Sequence, residues 1–144
     1  MEVEQMGKPL SVLLIEDSED DATLIVHELE HGGYDVDYER VDTTASVRNA
    51  LGRRKWDVIL SDHAMPESCA LEALSVVKEI GIDPPFIIVS GWMTDELAES
   101  AIKEGARGFV PKNRLARLVP VIEAELKKPK GSKKKPVKKK KKGR

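Results

Sequence analysis

A single cysteine, Cys69, stands in 144 residues, so no internal disulfide can form and the chain fits a reducing compartment. With no second cysteine and no local cationic cluster, Cys69 reads as a packed or idle thiol rather than a redox group. No apolar run approaches the ~20 residues that span a bilayer. The first residues, with Glu2 and Glu4, lack the basic and apolar regions of a secretory signal, which makes a cytoplasmic location the expectation. There is no G-x-S-x-G motif to partner His27, His31 or His63, which disfavours metal-free hydrolase triads. A Gly-rich phosphate loop is missing as well. The stretch where one would sit, Glu16-Asp17-Ser18-Glu19-Asp20-Asp21, repels phosphate unless a metal intervenes, so direct flavin or nucleotide binding is a poor reading.

What is present is charge, at 34% of the residues, beside a 40% hydrophobic content that suits one globular domain with a sizeable core. The net charge of -1 conceals two regimes. Lys127 to Arg144 hold 12 of the 24 basic residues and no acid, which leaves 12 bases against 25 acids in residues 1–126, a net of -13. After Leu126 the chain is Lys, Pro, Gly and Ser with a final Arg144, and Val137 is the lone apolar residue. Such a segment cannot bury enough surface to offset its ordering entropy. The expected organisation is a flexible lead-in over 1–9, one domain over 10–127 and a disordered Lys-rich tail over 128–144.

Within the domain, apolar runs alternate with helical stripes. Leu10 to Ile15 is nearly continuous, the pattern of a parallel strand covered on both faces. Ser18 can cap a helix carrying Glu19, Asp20 and Asp21 in its first turn and Leu24, Ile25 and Leu29 in its stripe, stopped by Gly32-Gly33. Tyr34, Val36 and Tyr38 alternate with acids as a half-exposed strand. Thr43 or Thr44 can cap a second helix, with Ala45, Val47, Ala50 and Leu51 inward and Gly52 as its end. Trp56 to Leu60 reads as a buried strand. Leu71, Leu74, Val77 and Ile80 mark a third helix ended by Gly81, and Phe86 to Val89 a fourth strand. Thr94 caps a fourth helix through Ala98, Ala101 and Ile102, ended by Gly105. The strand Gly108 to Val110 precedes a fifth helix over Leu115, Leu118, Val119, Ile122 and Leu126, with Pro120 in its first two turns. Five βα units call for a doubly wound α/β fold, a parallel sheet with right-handed crossovers and helices on both faces.

The strands share a further property: each of four runs straight into chemistry at its carboxyl end, where open α/β folds place ligands. Ile15 is followed by Glu16-Asp17, Leu60 by Ser61-Asp62, Val89 by Ser90-Gly91 and Val110 by Pro111-Lys112. Taken singly, the acid pair could be helix capping, Asp62 a turn residue before Pro66, Ser90 an ordinary strand exit and Lys112 a solvated lysine. Together they put three carboxylates, a hydroxyl and an amine on one rim. Clustered carboxylates repel unless a cation sits among them, and all-oxygen ligation with few protein groups suits Mg²⁺. A carboxylate beside Mg²⁺ can act as nucleophile towards a phosphoryl group, and Lys112 and Ser90 are the residue types that stabilise the charge on such a group.

Glu16-Asp17, Asp62 with Met65-Pro66, Ser90-Gly91 and Phe109-Val110-Pro111-Lys112, in that order and strand context, resemble the receiver domain of two-component response regulators. The resemblance covers residues 10 to 127. It implies a flavodoxin-like, five-stranded parallel sheet in the order 2-1-3-4-5. It implies that Asp62 accepts a phosphoryl group from a sensor histidine kinase or a histidine phosphotransfer protein. Glu16, Asp17, the Asp62 carboxylate and the Ala64 backbone carbonyl would hold Mg²⁺; Ser90 and Lys112 would contact the phosphoryl oxygens. Phe109 matches the aromatic switch residue, although an apolar residue in a short strand is equally plain core. The implied output surface, for a partner protein or a second copy, is the face of the fourth helix, last strand and fifth helix. The resemblance implies a signalling module rather than an enzyme, with autodephosphorylation its only turnover.

Four positions bear on how closely the chain follows the family's pattern. Asn113 stands where proline is usual after the lysine, Ala70 replaces the glycine after the Met-Pro loop, and Ala64 and Trp92 flank the phosphorylation pocket as one small and one large residue. Two other function classes stay open at this level. One is an adaptor of the same fold that works without phosphorylation. The other uses the Lys-rich tail to reach nucleic acid, an anionic membrane or an acidic partner; without aromatics to stack bases, any nucleic-acid binding would be non-specific.

Overall fold

Five parallel strands build one sheet in the order β2-β1-β3-β4-β5. They are β1 (Lys8–Ile15), β2 (Tyr34–Val41), β3 (Val58–Ser61), β4 (Phe86–Ser90) and β5 (Gly108–Pro111). The computed structural model describes residues 7–63, 70–91 and 94–128. Five α-helices connect and flank the strands: α1 (Glu19–His31), α2 (Thr44–Arg53), α3 (Ala70–Ile80), α4 (Asp95–Glu104) and α5 (Leu118–Leu126). A 3₁₀ segment, Lys112–Arg117, lies between β5 and α5.

The sheet is covered on both sides, which is why its central strands are apolar without alternation. All of β3 and β4 is buried. Alternate residues of the strands feed two separate cores. Leu13, Ile15, Ile59, Phe86 and Ile88 pack with Val47 and Leu51 of α2, Leu74 and Val77 of α3 and Ala101 of α4. Val12, Leu14, Leu60, Ile87 and Val110 pack with Ala22, Ile25 and Leu29 of α1 and Leu118 and Ile122 of α5. Each fully buried aliphatic or Phe side chain contributes about 1.5–3 kcal/mol, so these two layers fix the sheet and with it the strand ends.

Local signals set the helix starts. Ser18 Oγ accepts the Asp21 N–H at 3.1 Å, ahead of an acidic first turn. Thr43 and Ser46 exchange side-chain to backbone bonds at 3.0 Å in each direction, a capping box on α2. Thr94 Oγ1 accepts the Leu97 N–H at 3.1 Å. At the other end, Gly81 and Gly105 follow α3 and α4 with φ of 82° and 120°, a region that side chains with a Cβ seldom occupy.

Several boundaries differ from the sequence expectation. β1 begins at Lys8 rather than Leu10, because Lys8 pairs with Tyr34 and its N–H reaches Gly33 O at 3.0 Å. β3 starts at Val58: Trp56 is buried but spends its indole N–H on Ala50 O of α2 at 3.1 Å instead of joining the ladder. Gly52 does not end α2, which runs on to Arg53. Leu24 and Ala45, expected inward, are exposed, and Ile80 and Ile102 turn largely outward; Ala22 and Val26 fill the α1 stripe instead. The fifth helix begins at Leu118, after a break at Arg114 (φ -136°, ψ 48°). Pro120 thereby falls in the first turn, where its missing N–H has no helical partner to lose.

Candidate functional site

The sheet hydrogen bonds bring the acidic groups together. Asp62 lies just past β3, and its N–H donates to Ile15 O of β1 at 2.9 Å. Glu16, the next residue along from Ile15, donates its own N–H to Val41 O of β2 at 2.9 Å. Two backbone bonds therefore pin Glu16 and Asp62 side by side at the carboxyl edge. Carboxylate oxygens of Glu16, Asp17 and Asp62 lie within 4.8 Å of one another, close enough to hold a metal ion together. Glu16 and Asp62 are buried and Asp17 faces solvent.

Lys112 closes the rim from the end of β5. Its Nζ sits 2.9 Å from Asp62 Oδ2, 2.9 Å from Glu16 Oε1 and 2.6 Å from Asp21 Oδ2. Burial pulls the ammonium's pKa down, but the close carboxylates of Asp21, Glu16 and Asp62 outweigh it and hold the group firmly charged, above its ordinary value. Glu16 is shifted up. Desolvation is the largest cause, and it exceeds the opposing pull of Lys112 and of the Ser18 N–H, which bonds Glu16 Oε2 at 3.1 Å. Despite its nearness to Lys112, Glu16 Oε1 is buried without a hydrogen bond of good geometry. A buried carboxylate oxygen of this kind, among other hard oxygen donors, fits a small divalent cation.

Four carboxylates, Glu16, Asp17, Asp21 and Asp62, thus gather at the rim beside one ammonium, which contacts all but Asp17. When all are ionised the rim carries an excess of three negative charges, a cost in repulsion that a cation would relieve. Ser90 is the buried last residue of β4, paired in register with Pro111. That register sets the hydroxyl-bearing residue one position before Lys112 at the same edge. Phe109 is half-buried on β5 and packs against the core shared with α2, α3 and α4. Ala64, the Met65-Pro66 pair, Cys69 and Trp92 lie outside the described residues, as does the tail from residue 129 onward. No cis peptide bond occurs among the described residues, so Lys112-Asn113 is trans.

The chain matches a known family model. Residues 12–123 match the response regulator receiver domain. The chain belongs to this family. Among solved structures, this receiver is similar to a signal receiver domain from Vibrio parahaemolyticus (TM-score 0.74, 25% identity, covering 92% of this chain and 99% of that one). It is also similar to the Francisella response regulator 1452 receiver domain (TM-score 0.71, 22% identity, covering 82% and 97%). Among curated proteins it is 31% identical over 78 residues to the regulatory protein LuxO of Vibrio cholerae, which is 54% of this chain and 17% of LuxO. It is 26% identical over 121 residues to the DNA-binding transcriptional regulator NtrC of Rhizobium meliloti, 83% of this chain and 25% of NtrC. The receiver thus spans a quarter or less of those two proteins.

Two participants were not visible as such in the sequence. Asp21 shows there only as one of three acids in a first helical turn; its contact with Lys112 joins elements 91 residues apart. Arg40, at the end of β2, donates to Glu16 O at 3.1 Å and pairs with Glu19 at 3.3 Å, steadying the acidic loop from outside. Only the register of β2 against β1, which sets Arg40 opposite Leu14, brings it there.

Proposed function

We propose that this receiver accepts a phosphoryl group on Asp62 from a phosphohistidine of a sensor kinase or phosphotransfer protein. The reading rests on one observation above all: Asp62 is at once the neighbour of Glu16 and Asp17 and the hydrogen-bond partner of Lys112 at 2.9 Å. A carboxylate oxygen of Asp62 attacks phosphorus, the P–N bond to the imidazole breaks, and a proton goes to the departing nitrogen. Glu16, Asp17, Asp62 and the Ala64 carbonyl would hold Mg²⁺, which would supply positive charge to the phosphoryl oxygens. Lys112 adds a fixed ammonium and Ser90 a hydroxyl to the same oxygens. Drawing Ser90 towards the phosphoryl group would let Phe109 move inward and alter the face of α4, β5 and α5, where an output protein or a second copy would bind. The group leaves by transfer onward or by hydrolysis, and Ala64 and Trp92 would set how readily water reaches it. A cytoplasmic setting suits this chemistry.

Incubation with acetyl phosphate and Mg²⁺, read by intact mass, tests the assignment. One phosphoryl adduct should form on the parent and none on Asp62→Ala. A folded parent that stays unmodified would favour an adaptor role that needs no phosphorylation.

A further inference from the structure

Lys112 touches one more carboxylate than the proposed chemistry requires. Its ammonium has three N–H donors, and three carboxylate oxygens surround it, from Asp21 at 2.6 Å and from Glu16 and Asp62 at 2.9 Å. Two of those donors are spent in hydrogen bonds to Asp21 and Asp62, while Glu16 Oε1 lies in ion-pair contact without a well-formed bond. The closest of the three, Asp21, comes from α1 and is not part of the Glu16, Asp17 and Asp62 group that can share a metal. A divalent cation bound to that group would offset two of its three charges and leave Asp21 paired with the lysine. Asp21 is fixed for this contact by the Ser18 cap, which binds its N–H at 3.1 Å.

We propose that Asp21 is a positioning residue that retains the Lys112 ammonium in the unphosphorylated receiver and opposes its turn towards a phosphoryl group on Asp62. This rests on Asp62 being the acceptor. A phosphoryl group arriving there brings further negative charge and draws on the ammonium that Asp21 holds at the shortest distance. Asp21 therefore acts twice against phosphorylation, by holding the donor and by adding like charge beside the incoming group. Its role is to set a threshold, so that a weak phosphodonor modifies the site slowly.

The test compares Asp21→Asn, Asp21→Glu and, as a control for general charge, Asp20→Asn in the full chain. Asp21→Asn should raise the second-order rate constant for modification by acetyl phosphate about fivefold, from the loss of one nearby screened charge and the release of a donor. Asp21→Glu, which restores the charged partner, and Asp20→Asn should both stay near the parent rate. In metal-free protein, the slowly exchanging ¹⁵N ammonium resonance of Lys112 should be seen in the parent and in Asp21→Glu and be lost in Asp21→Asn. An unchanged rate in Asp21→Asn, or the same increase in Asp21→Glu or Asp20→Asn, would overturn the inference while leaving Asp62 as acceptor. No adduct in the parent would overturn both.

Discussion

Tyr34 begins β2 at the opposite end of the sheet from Asp62, and it illustrates how a single buried group couples to pH. Its hydroxyl donates to Glu123 of α5 at 3.1 Å, and its ring lies 5.8 Å from Lys8 Nζ. Desolvation first, then the hydrogen bond and the charge of Glu123, push the phenol up to about 12 from 10.0. Because the folded-state pKa is the higher one, this group favours folding fully below the unfolded value. That contribution fades as pH climbs from 10.0 through about 12. The prediction is specific, since Tyr34 and Tyr38 are the only tyrosines. In Tyr38→Phe, ultraviolet titration of the remaining phenol should have its midpoint near 12, and adding Glu123→Gln should lower it. At the same scale, Glu16 shows the reverse tension, a carboxylate made costly by burial and kept beside Lys112. A cation held as proposed would offset that cost.

At the scale of elements, the caps decide where helices begin, and the strand ends decide where chemistry sits. Thr43→Ala removes one half of the capping box on α2 and should lower stability by about 1 kcal/mol, seen as a shifted urea midpoint at unchanged slope. The caps Ser18, Thr43 and Thr94 were legible in the sequence because an N-cap is a local pattern. So were the four strand exits at Glu16, Asp62, Ser90 and Lys112, because an apolar run that stops at a polar residue needs no tertiary information. What escaped depends on how the elements pack against one another. Leu24 reads as core by spacing, yet α1 rolls so that Ala22 and Val26 meet the sheet. Trp56 reads as strand by composition, yet its indole is claimed by Ala50. Asp21 reads as a dipole-matching acid, and only the fold carries Lys112 to it.

Over the whole molecule, two cores lock the sheet while its carboxyl edge gathers like charge, so stability and function pull against each other. The protein without metal carries that repulsion, and a divalent cation should relieve it. At a free Mg²⁺ concentration of roughly ten times its Kd, unfolding should cost about 1.4 kcal/mol more, a rise readable as a higher Tm. Asp17→Asn should remove most of that gain and, Asp17 being exposed, leave the metal-free Tm nearly unchanged. A rise of equal size in Asp17→Asn would mean that Mg²⁺ acts elsewhere on the acidic body. Among the described residues no helix is long and apolar enough to cross a membrane.

The central claim is that Asp62 itself forms the bond to phosphorus. Borohydride reduces an aspartyl phosphate to homoserine and leaves ordinary carboxylates untouched, so peptide mass mapping after acetyl phosphate treatment locates the modified residue. Homoserine is expected at position 62, dependent on Mg²⁺. Homoserine at Asp17 or Asp21 instead, 5-hydroxynorvaline at Glu16, or no reduced residue in protein that carries the adduct would rule Asp62 out as the acceptor.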